Sequence, residues 1–232
     1  MRAMILAAGR GERMRPLSDH TPKPLLMVQG KRLIEWHIER FAAAGVREIA
    51  INCAWLEAQF EPALGDGSRW GVRLQYFFEQ RDHGGALETA GGLRKALPWL
   101  APQGHEAFWV ASGDVFLPGF ACDTAAAQRF AADATREAHL WLIPNPAHRP
   151  QGDFAIGPEG RASASGSPTY TWSCIGLFKP SLLAGLPLGQ ASPLRPWLDA
   201  ALARHSLSAE LYCGAWSDVG TPERLAQAQA LR

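Results

Sequence analysis

Short apolar runs alternate with helical segments from residue 2 to about residue 143, and no other feature of this 232-residue chain restricts its fold as much. Residues 2–7 form an apolar run ended by Gly9, which predicts a buried strand. Residues 8–30 are rich in Gly, Pro and Arg and predict a long loop. Residues 33–44 carry apolar side chains at helical spacing and are closed by Gly45. A strand over 46–53, a helix over 55–64 and a strand over 72–78 follow, then a loop over 79–88. Thr89 caps a short helix that ends before Pro98. Strands over 107–111 and 139–143 flank a helix over 123–133. This order predicts an α/β chain: a Rossmann-like, mostly parallel sheet with helices on both faces. Beyond residue 143 Pro and Gly crowd 144–168, giving a small irregular insertion. A strand over 172–178, a helix over 193–205, a strand over 207–213 and a helix over 222–231 capped by Thr221 complete the chain. With no internal repeat and no long linker, residues 1–232 are expected to form a single domain with a division near residue 143.

Composition narrows the function classes. Lys and Arg total 23 against 22 Asp and Glu, and 47% of residues are apolar, so a disordered chain is excluded. This near-neutral balance argues against a nucleic-acid partner, which needs a broad basic face. No apolar run reaches the ~18–20 residues of a membrane span, so no membrane partner is expected. The N-terminal apolar stretch meets Arg10, Arg13 and Arg15 too soon for a secretory leader of ~7–15 apolar residues. The four cysteines, Cys53, Cys122, Cys174 and Cys213, form no Cys-x-x-Cys pair and are expected as reduced core residues of a cytoplasmic protein. The charge is uneven, however. Residues 1–32 hold Arg2, Arg10, Arg13, Arg15, Lys23, Lys31 and Arg32 against only Glu12 and Asp19. A local cationic loop on a neutral protein suits a small polyanion.

That loop runs Leu6-Ala7-Ala8-Gly9-Arg10-Gly11-Glu12-Arg13-Met14-Arg15-Pro16, then Thr21-Pro22-Lys23-Pro24. Glycines directly after a buried strand let backbone N–H groups approach a ligand. Met14 stands where a dinucleotide fingerprint needs its third glycine, and the prolines block an immediate helix, so this is not that fingerprint; nor is it a Walker P-loop. Arg13 and Lys23 can bring two cations to one phosphate chain.

The stretch from Leu6 to Lys23 resembles the signature of the sugar-1-phosphate nucleotidyltransferases. Three later segments resemble the same family in order: Leu87-Glu88-Thr89-Ala90-Gly91-Gly92, Ser112-Gly113-Asp114, and Trp216-Ser217-Asp218-Val219-Gly220-Thr221-Pro222. The resemblance covers nearly the whole chain. It implies the family's nucleotide-diphospho-sugar transferase fold, with a nucleotide-binding half over 1–143 and a sugar-binding half over 144–232. It implies an enzyme that joins UTP to a sugar 1-phosphate with Mg²⁺, working as a monomer or small homo-oligomer. Arg13 and Lys23 become the catalytic candidates, and Asp114 and Asp218 the metal ligands. Ala8, Gly9, Gly11, Gln80 (or its neighbour Glu79), Gly91 and Gly92 become the nucleotide-binding candidates, and Gly152, Asp153 and Trp172 the sugar-binding ones. For a sugar that carries a carboxylate, Arg149 and Arg195 are the candidate basic residues. GTP or dTTP with another hexose 1-phosphate is the alternative pair, and a non-catalytic sugar-nucleotide sensor is the least favoured reading. No hexapeptide repeat is present, so no β-helix extension is expected. Two positions depart from the family pattern. Ser112 stands for the usual Asn. Glu12 replaces a small hydroxyl residue and is expected to point outward and pair with Arg15.

The chemistry needs these residue types. A phosphate oxygen is already ionised, so attack on a nucleotide α-phosphorus needs no strong base. It needs cations and alignment to overcome the repulsion of two anions. Arg13 offers a bidentate fork, Lys23 a point charge, and two carboxylates a seat for Mg²⁺.

Overall fold

The chain was described from a computed structural model, which covers residues 1–231. In chain order the strands are β1 (Ala3–Leu6), β2 (Met27–Val28), β3 (Lys31–Arg32), β4 (Glu48–Cys53), β5 (Arg73–Phe78), β6 (Phe108–Ser112) and β7 (Val115–Phe116). They continue with β8 (Ala138–Ile143), β9 (Phe154–Ile156), β10 (Ala162–Ser163), β11 (Thr169–Phe178), β12 (Leu207–Leu211) and β13 (Ser217–Asp218). The helices are α1 (Leu33–Ala43), α2 (Phe60–Leu64), α3 (Glu79–His83), α4 (Glu88–Leu100), α5 (Thr124–Ala132), α6 (Arg195–Ala203) and α7 (Pro222–Ala228).

The central sheet runs β5-β4-β1-β6-β11, and β8 pairs with β11 on one side and β12 on the other. All neighbours are parallel except β11, which lies antiparallel between β6 and β8. The sheet is therefore mostly parallel, as the alternation predicts. Strand β1 is buried on both faces and sends alternate side chains to opposite sides. Ala3 and Ile5 pack with Ile34, Ile38 and Phe41 of α1 and with Ala126, Ala127 and Phe130 of α5. Met4 faces the other way and packs with Ala90, Leu93 and Ala96 of α4 and Leu198 of α6. Each of the Ile, Leu, Met and Phe side chains among them contributes roughly 1.5–3 kcal/mol on burial. Helices thus cover both faces of the sheet.

A third cluster fixes the loop that follows β1. Met14, Val28, Leu33, Phe116, Val219 and Ala228 are all buried together. The loop over 8–30 is not featureless: three single 3₁₀ turns, Glu12–Met14, Leu17–Asp19 and Lys23–Leu25, carry it back to β2. Gln29 then ties it to the end of the chain. Its N–H donates to Gln229 Oε1 at 2.7 Å, and its side-chain amide donates to the carbonyls of Ala228 and Leu231 at 3.0 and 2.6 Å.

Several boundaries differ from the sequence expectations. Residues 79–83 form α3 rather than loop. Helix α4 begins at Glu88, has Leu87 as its uncapped entry, and continues through Pro98 to Leu100. Leu97 and Leu100 are 8% and 1% exposed, so burying both favours carrying the helix past the proline. Residues 144–168 contain β9 and β10, and β9 extends the start of β11 through Tyr170↔Phe154. Cys53 and Cys122 are buried as expected, but Cys174 is only partly covered and Cys213 is exposed. No helix among the described residues is long and apolar enough to cross a membrane.

Candidate active site

The parallel register sets the site. Leu6 stands beside Asn52 of β4 on one side and Ser112 of β6 on the other, so three strands end level. A cleft of about 350 Å³ opens at this carboxyl edge, where open α/β sheets bind ligands. Ala8, Gly9, Arg10, Lys23, Asn52, Glu88, Thr89, Ser112 and Asp114 are among its walls. Gly11 adopts φ +66° beneath it, and a Cβ there would sit 3.4 Å from Lys23 Cβ. Its carbonyl accepts from Ser18 Oγ and from the Met14 N–H, both at 2.8 Å, which closes the loop on itself.

Lys23 forms an ion pair with Asp114 on the cleft floor, and Lys23 is nearly covered, with 12% of its side chain exposed. Ser112 Oγ donates to the other Asp114 oxygen at 2.6 Å. Burial pushes the Asp114 carboxyl up, but the Lys23 ammonium and the Ser112 hydroxyl hold it below the usual carboxylate range. Ser112, where the family pattern has Asn, thus still supplies one donor to this carboxylate.

The second carboxylate arrives through a short antiparallel ladder. Asp218 of β13 pairs with Val115 of β7, and the Val219 N–H donates to the Asp114 carbonyl at 2.9 Å. The backbones carrying Asp114 and Asp218 are thus joined directly. Asp218 receives Arg224 Nη1 on both oxygens at 2.5 Å, and His148 Nε2 lies 3.2 Å away. Arg13, raised on the turn that buries Met14, is exposed and has no ion-pair partner among the described residues. A Cβ at Gly220 would lie 3.2 Å from Arg13 Nη2 and 3.1 Å from Arg224 Nη2, so both guanidinium groups flank this glycine.

Asp114 and Asp218 offer hard oxygen donors from adjoining backbone, the ligand chemistry that suits Mg²⁺. Among the described residues no group of three or more His, Cys, Asp or Glu side chains could hold a metal. An ion seated on these two carboxylates would depend on substrate oxygens and water for the rest of its shell.

The sugar-side candidates form a neighbouring cluster. Asp153 is almost covered and pairs with Arg149 and, at 3.5 Å, with Arg195; its Oδ2 accepts the Trp172 N–H at 2.9 Å. Gly152 has φ +62°, and a Cβ there would meet Asn145 Oδ1 at 2.6 Å and the Tyr170 carbonyl at 2.9 Å. Strand β11 bulges between Trp172 and Ile175, with Cys174 at φ +64°. His148, next to Arg149 in sequence, joins this cluster to Asp218.

A sequence profile for nucleotidyl transferases matches residues 2–155. The chain belongs to the nucleotidyl transferase family. This nucleotidyltransferase is 47% identical over 235 residues to N-acetylmuramate alpha-1-phosphate uridylyltransferase of Neisseria meningitidis serogroup B, covering 100% of this chain and 98% of that protein. It is 29% identical over 238 residues to the Caulobacter vibrioides protein of the same name, covering 98% of this chain and 95% of that one. Among solved structures, HddC from Yersinia pseudotuberculosis, complexed with GMP-PN, superposes with a TM-score of 0.75 at 16% identity. The match covers 99% of this chain and 98% of that one, and shows the fold.

The cleft gathers Ala8, Gly9, Lys23 and Asp114 of the candidates, whereas Gly11, Arg13 and Asp218 do not line it. Besides Gly11, three more nucleotide-side candidates lie off the cleft. Gly91 and Gly92 lie on the buried face of α4, where a Cβ would stand 2.5 Å from the Gln190 carbonyl and 2.6 Å from Asn52 Nδ2, respectively. They are glycines because the helix packs closely there, and they do not line the cleft. Gln80 is exposed on α3 and also lies off the cleft. Glu79 is fully buried with both oxygens engaged, so it does not meet a base edge directly. Asp153 is an anchor for two arginines rather than an open sugar ligand. Glu12 lies 4.0 Å from Arg10, while Arg15 pairs with Asp19 at 3.0 Å. Asn52, His148 and Arg224 escaped the sequence reading. Thr89 and Glu88 were legible within their motif.

Proposed function

We propose that this nucleotidyltransferase joins UTP to N-acetylmuramate 1-phosphate, giving UDP-N-acetylmuramate and pyrophosphate in cytoplasmic peptidoglycan recycling. The likeness to the Neisseria protein over essentially both full lengths supports the choice of base and sugar. One observation carries the chemistry: the Lys23–Asp114 pair stands on the cleft floor, on backbone joined to that of Asp218.

The reaction forms a bond between a sugar-phosphate oxygen and the α-phosphorus of UTP, and breaks the bond from that phosphorus to the oxygen leading to the β-phosphate. Both reactants are anions, so the protein's task is neutralisation and alignment. The N–H groups after β1 face the phosphates without side chains in the way at Gly9. Arg13, exposed and unpaired, has both guanidinium edges available for phosphate oxygens. Lys23 is held by Asp114 and offers a point charge to the reacting phosphates. Asp114 and Asp218 would hold Mg²⁺, which when bound neutralises phosphate charge and favours in-line attack. The Arg149–Asp153–Arg195 cluster borders the sugar side, where a lactyl carboxylate needs a cation.

Pyrophosphate release with Mg²⁺ tests the reading, pairing UTP, dTTP, GTP and CTP with N-acetylmuramate 1-phosphate, N-acetylglucosamine 1-phosphate, glucose 1-phosphate and mannose 1-phosphate. Turnover is expected with UTP and N-acetylmuramate 1-phosphate at least about a hundredfold more efficient than with any other pair. Preference for GTP with mannose 1-phosphate would replace the substrates and keep the mechanism. Release with no pair would sink the catalytic reading.

A further inference from the structure

A buried polar relay connects the two walls of the nucleotide cleft. The Ala7 N–H, in the loop that follows β1, donates to Asn52 Oδ1 at 2.9 Å. Asn52 Nδ2 donates to Glu79 Oε1 at 2.8 Å. The Leu87 N–H, on the opposite wall, donates to Glu79 Oε2 at 2.7 Å. Asn52 is 2% exposed and Glu79 is 0% exposed, so water offers neither a substitute partner. Immediately after Leu87, Glu88 takes φ +60°, and Glu88 and Thr89 line the cleft. A non-glycine residue in the left-handed region persists only where its surroundings impose it, and the bond to Leu87 is one such restraint. Gly92 clears the space the relay occupies, since a Cβ there would stand 2.6 Å from both Asn52 Nδ2 and Glu79 Oε1.

The relay has a polarity. Every donor in it is an N–H, and Glu79 is the only member that accepts without donating. An ionised carboxylate meets both demands; an amide at this position cannot, because one of its two ends is a donor. The mechanism described above does not use this carboxylate.

We infer that Glu79, acting through Asn52, is a positioning residue that holds the segment over 86–89, the entry to α4, against the loop over 7–11 and so sets the width of the nucleotide cleft. The inference rests on the proposed function only in taking UTP as the occupant. Its signature is a change in nucleotide KM with little change in the KM for the sugar phosphate, whose side of the site the relay does not touch.

Polarity supplies the test. Glu79→Gln sets an amide NH₂ against either the Leu87 N–H or Asn52 Nδ2. Asn52→Asp sets two carboxylates against each other. The double swap Asn52→Asp/Glu79→Gln restores every bond: Ala7 N–H to Asp, Gln NH₂ to Asp, and Leu87 N–H to the Gln oxygen. Glu79→Gln is expected to raise the UTP KM about tenfold, and the swap to return it to within about threefold of the parent. Amide hydrogen exchange at Ala7 and Leu87, which needs no activity, is expected to be slow in the parent, fast in Glu79→Gln and slow again in the swap. A Glu79→Gln protein with a lowered melting temperature but an unchanged UTP KM would make the relay purely structural and overturn the inference. So would a swap that folds no better and binds UTP no better than the single variants. If the parent releases no pyrophosphate from UTP, the proposed function fails by itself, and the exchange pattern alone decides whether the relay clamps the two loops.

Discussion

On the proposed nucleotide side, Leu6, Asn52 and Ser112 stand level across three hydrogen-bonded parallel strands and line the cleft together with the residues that directly follow β1 and with Asp114. On the proposed sugar side, Asp153 and Trp172 are placed by a bulged strand, a left-handed glycine and ion pairs whose arginines are half exposed. The first wall is built by register and buried packing, so its geometry is fixed by many small terms acting together. The second is held by a few charged contacts made on a loop. Phosphate chemistry is common to every substrate such a site accepts and benefits from rigid placement. The sugar differs between relatives, and a wall held by a handful of side chains is the easier one to alter.

Substitutions at the two walls separate these modes of construction. The largest effect is expected for Asp114→Asn, which removes the carboxylate charge with little change in volume. Turnover should fall by at least about 10³-fold, with the far-ultraviolet circular dichroism spectrum unchanged; a folded variant with near-normal turnover would remove Asp114 from the metal assignment. Lys23→Ala comes next, with kcat expected to fall about 10²-fold. Steady-state kinetics at saturating UTP is the check: a loss confined to KM would make Lys23 a binding residue alone.

The contrast sharpens at Asp153. Asp153→Asn deprives Arg149 and Arg195 of their shared partner while keeping an acceptor for the Trp172 N–H. The KM for the sugar phosphate should rise about tenfold and the KM for UTP less than about twofold. Equal changes in both would mean that the two walls are one mechanical unit.

The effect with no expected change in turnover lies behind the carboxylates. His37 is fully buried, with Nε2 at 2.8 Å from the Val115 carbonyl and Nδ1 at 2.9 Å from Arg40 Nη1. Burial and then the Arg40 charge push its pKa down from 6.5 to about 3. The folded protein therefore holds His37 neutral, whereas the unfolded chain takes up a proton below pH 6.5. That linkage costs stability progressively as pH falls from 6.5 toward 3, about 2 kcal/mol by pH 5. Thermal melts at pH 7.5 and 5.0 should show this loss, and His37→Gln should flatten it; an unchanged slope would move the acid sensitivity to other groups.

Much of this was legible in the chain itself. The strand–helix alternation predicts the sheet and both helical layers, because period-two and period-3.6 patterns are local. The loop from Leu6 to Lys23 and the Ser112-Gly113-Asp114 turn are also local, and they fall at the cleft. What escaped was long-range. Asn52 and Glu79 meet only because β4 and β5 align in parallel, and nothing near either residue announces the other. Arg224 and His148 reach Asp218 from a helix entry and a loop with no shared pattern. Gly91 and Gly92 sit off the cleft against Gln190 and Asn52, because close helix packing and close ligand approach demand the same residue and the sequence alone does not separate them. The stretch over 144–168 hid β9 and β10 because three- and two-residue strands among prolines carry too short a pattern to detect.

Gln29 and the cluster around Met14 bind the loop after β1 to α7 and the residues beyond it, and the β7–β13 ladder ties the segment before α7 to the turn after β6. Gln29 and Leu231 are 202 residues apart in the chain, so this joint is among the most long-range contacts of the fold. The sheet order from β5 to β6 needs none of the distal residues, whereas the backbone that seats Asp218 beside Asp114 and the packing around Met14 both depend on them. Loss of the joint would leave those four paired strands intact and separate the two carboxylates.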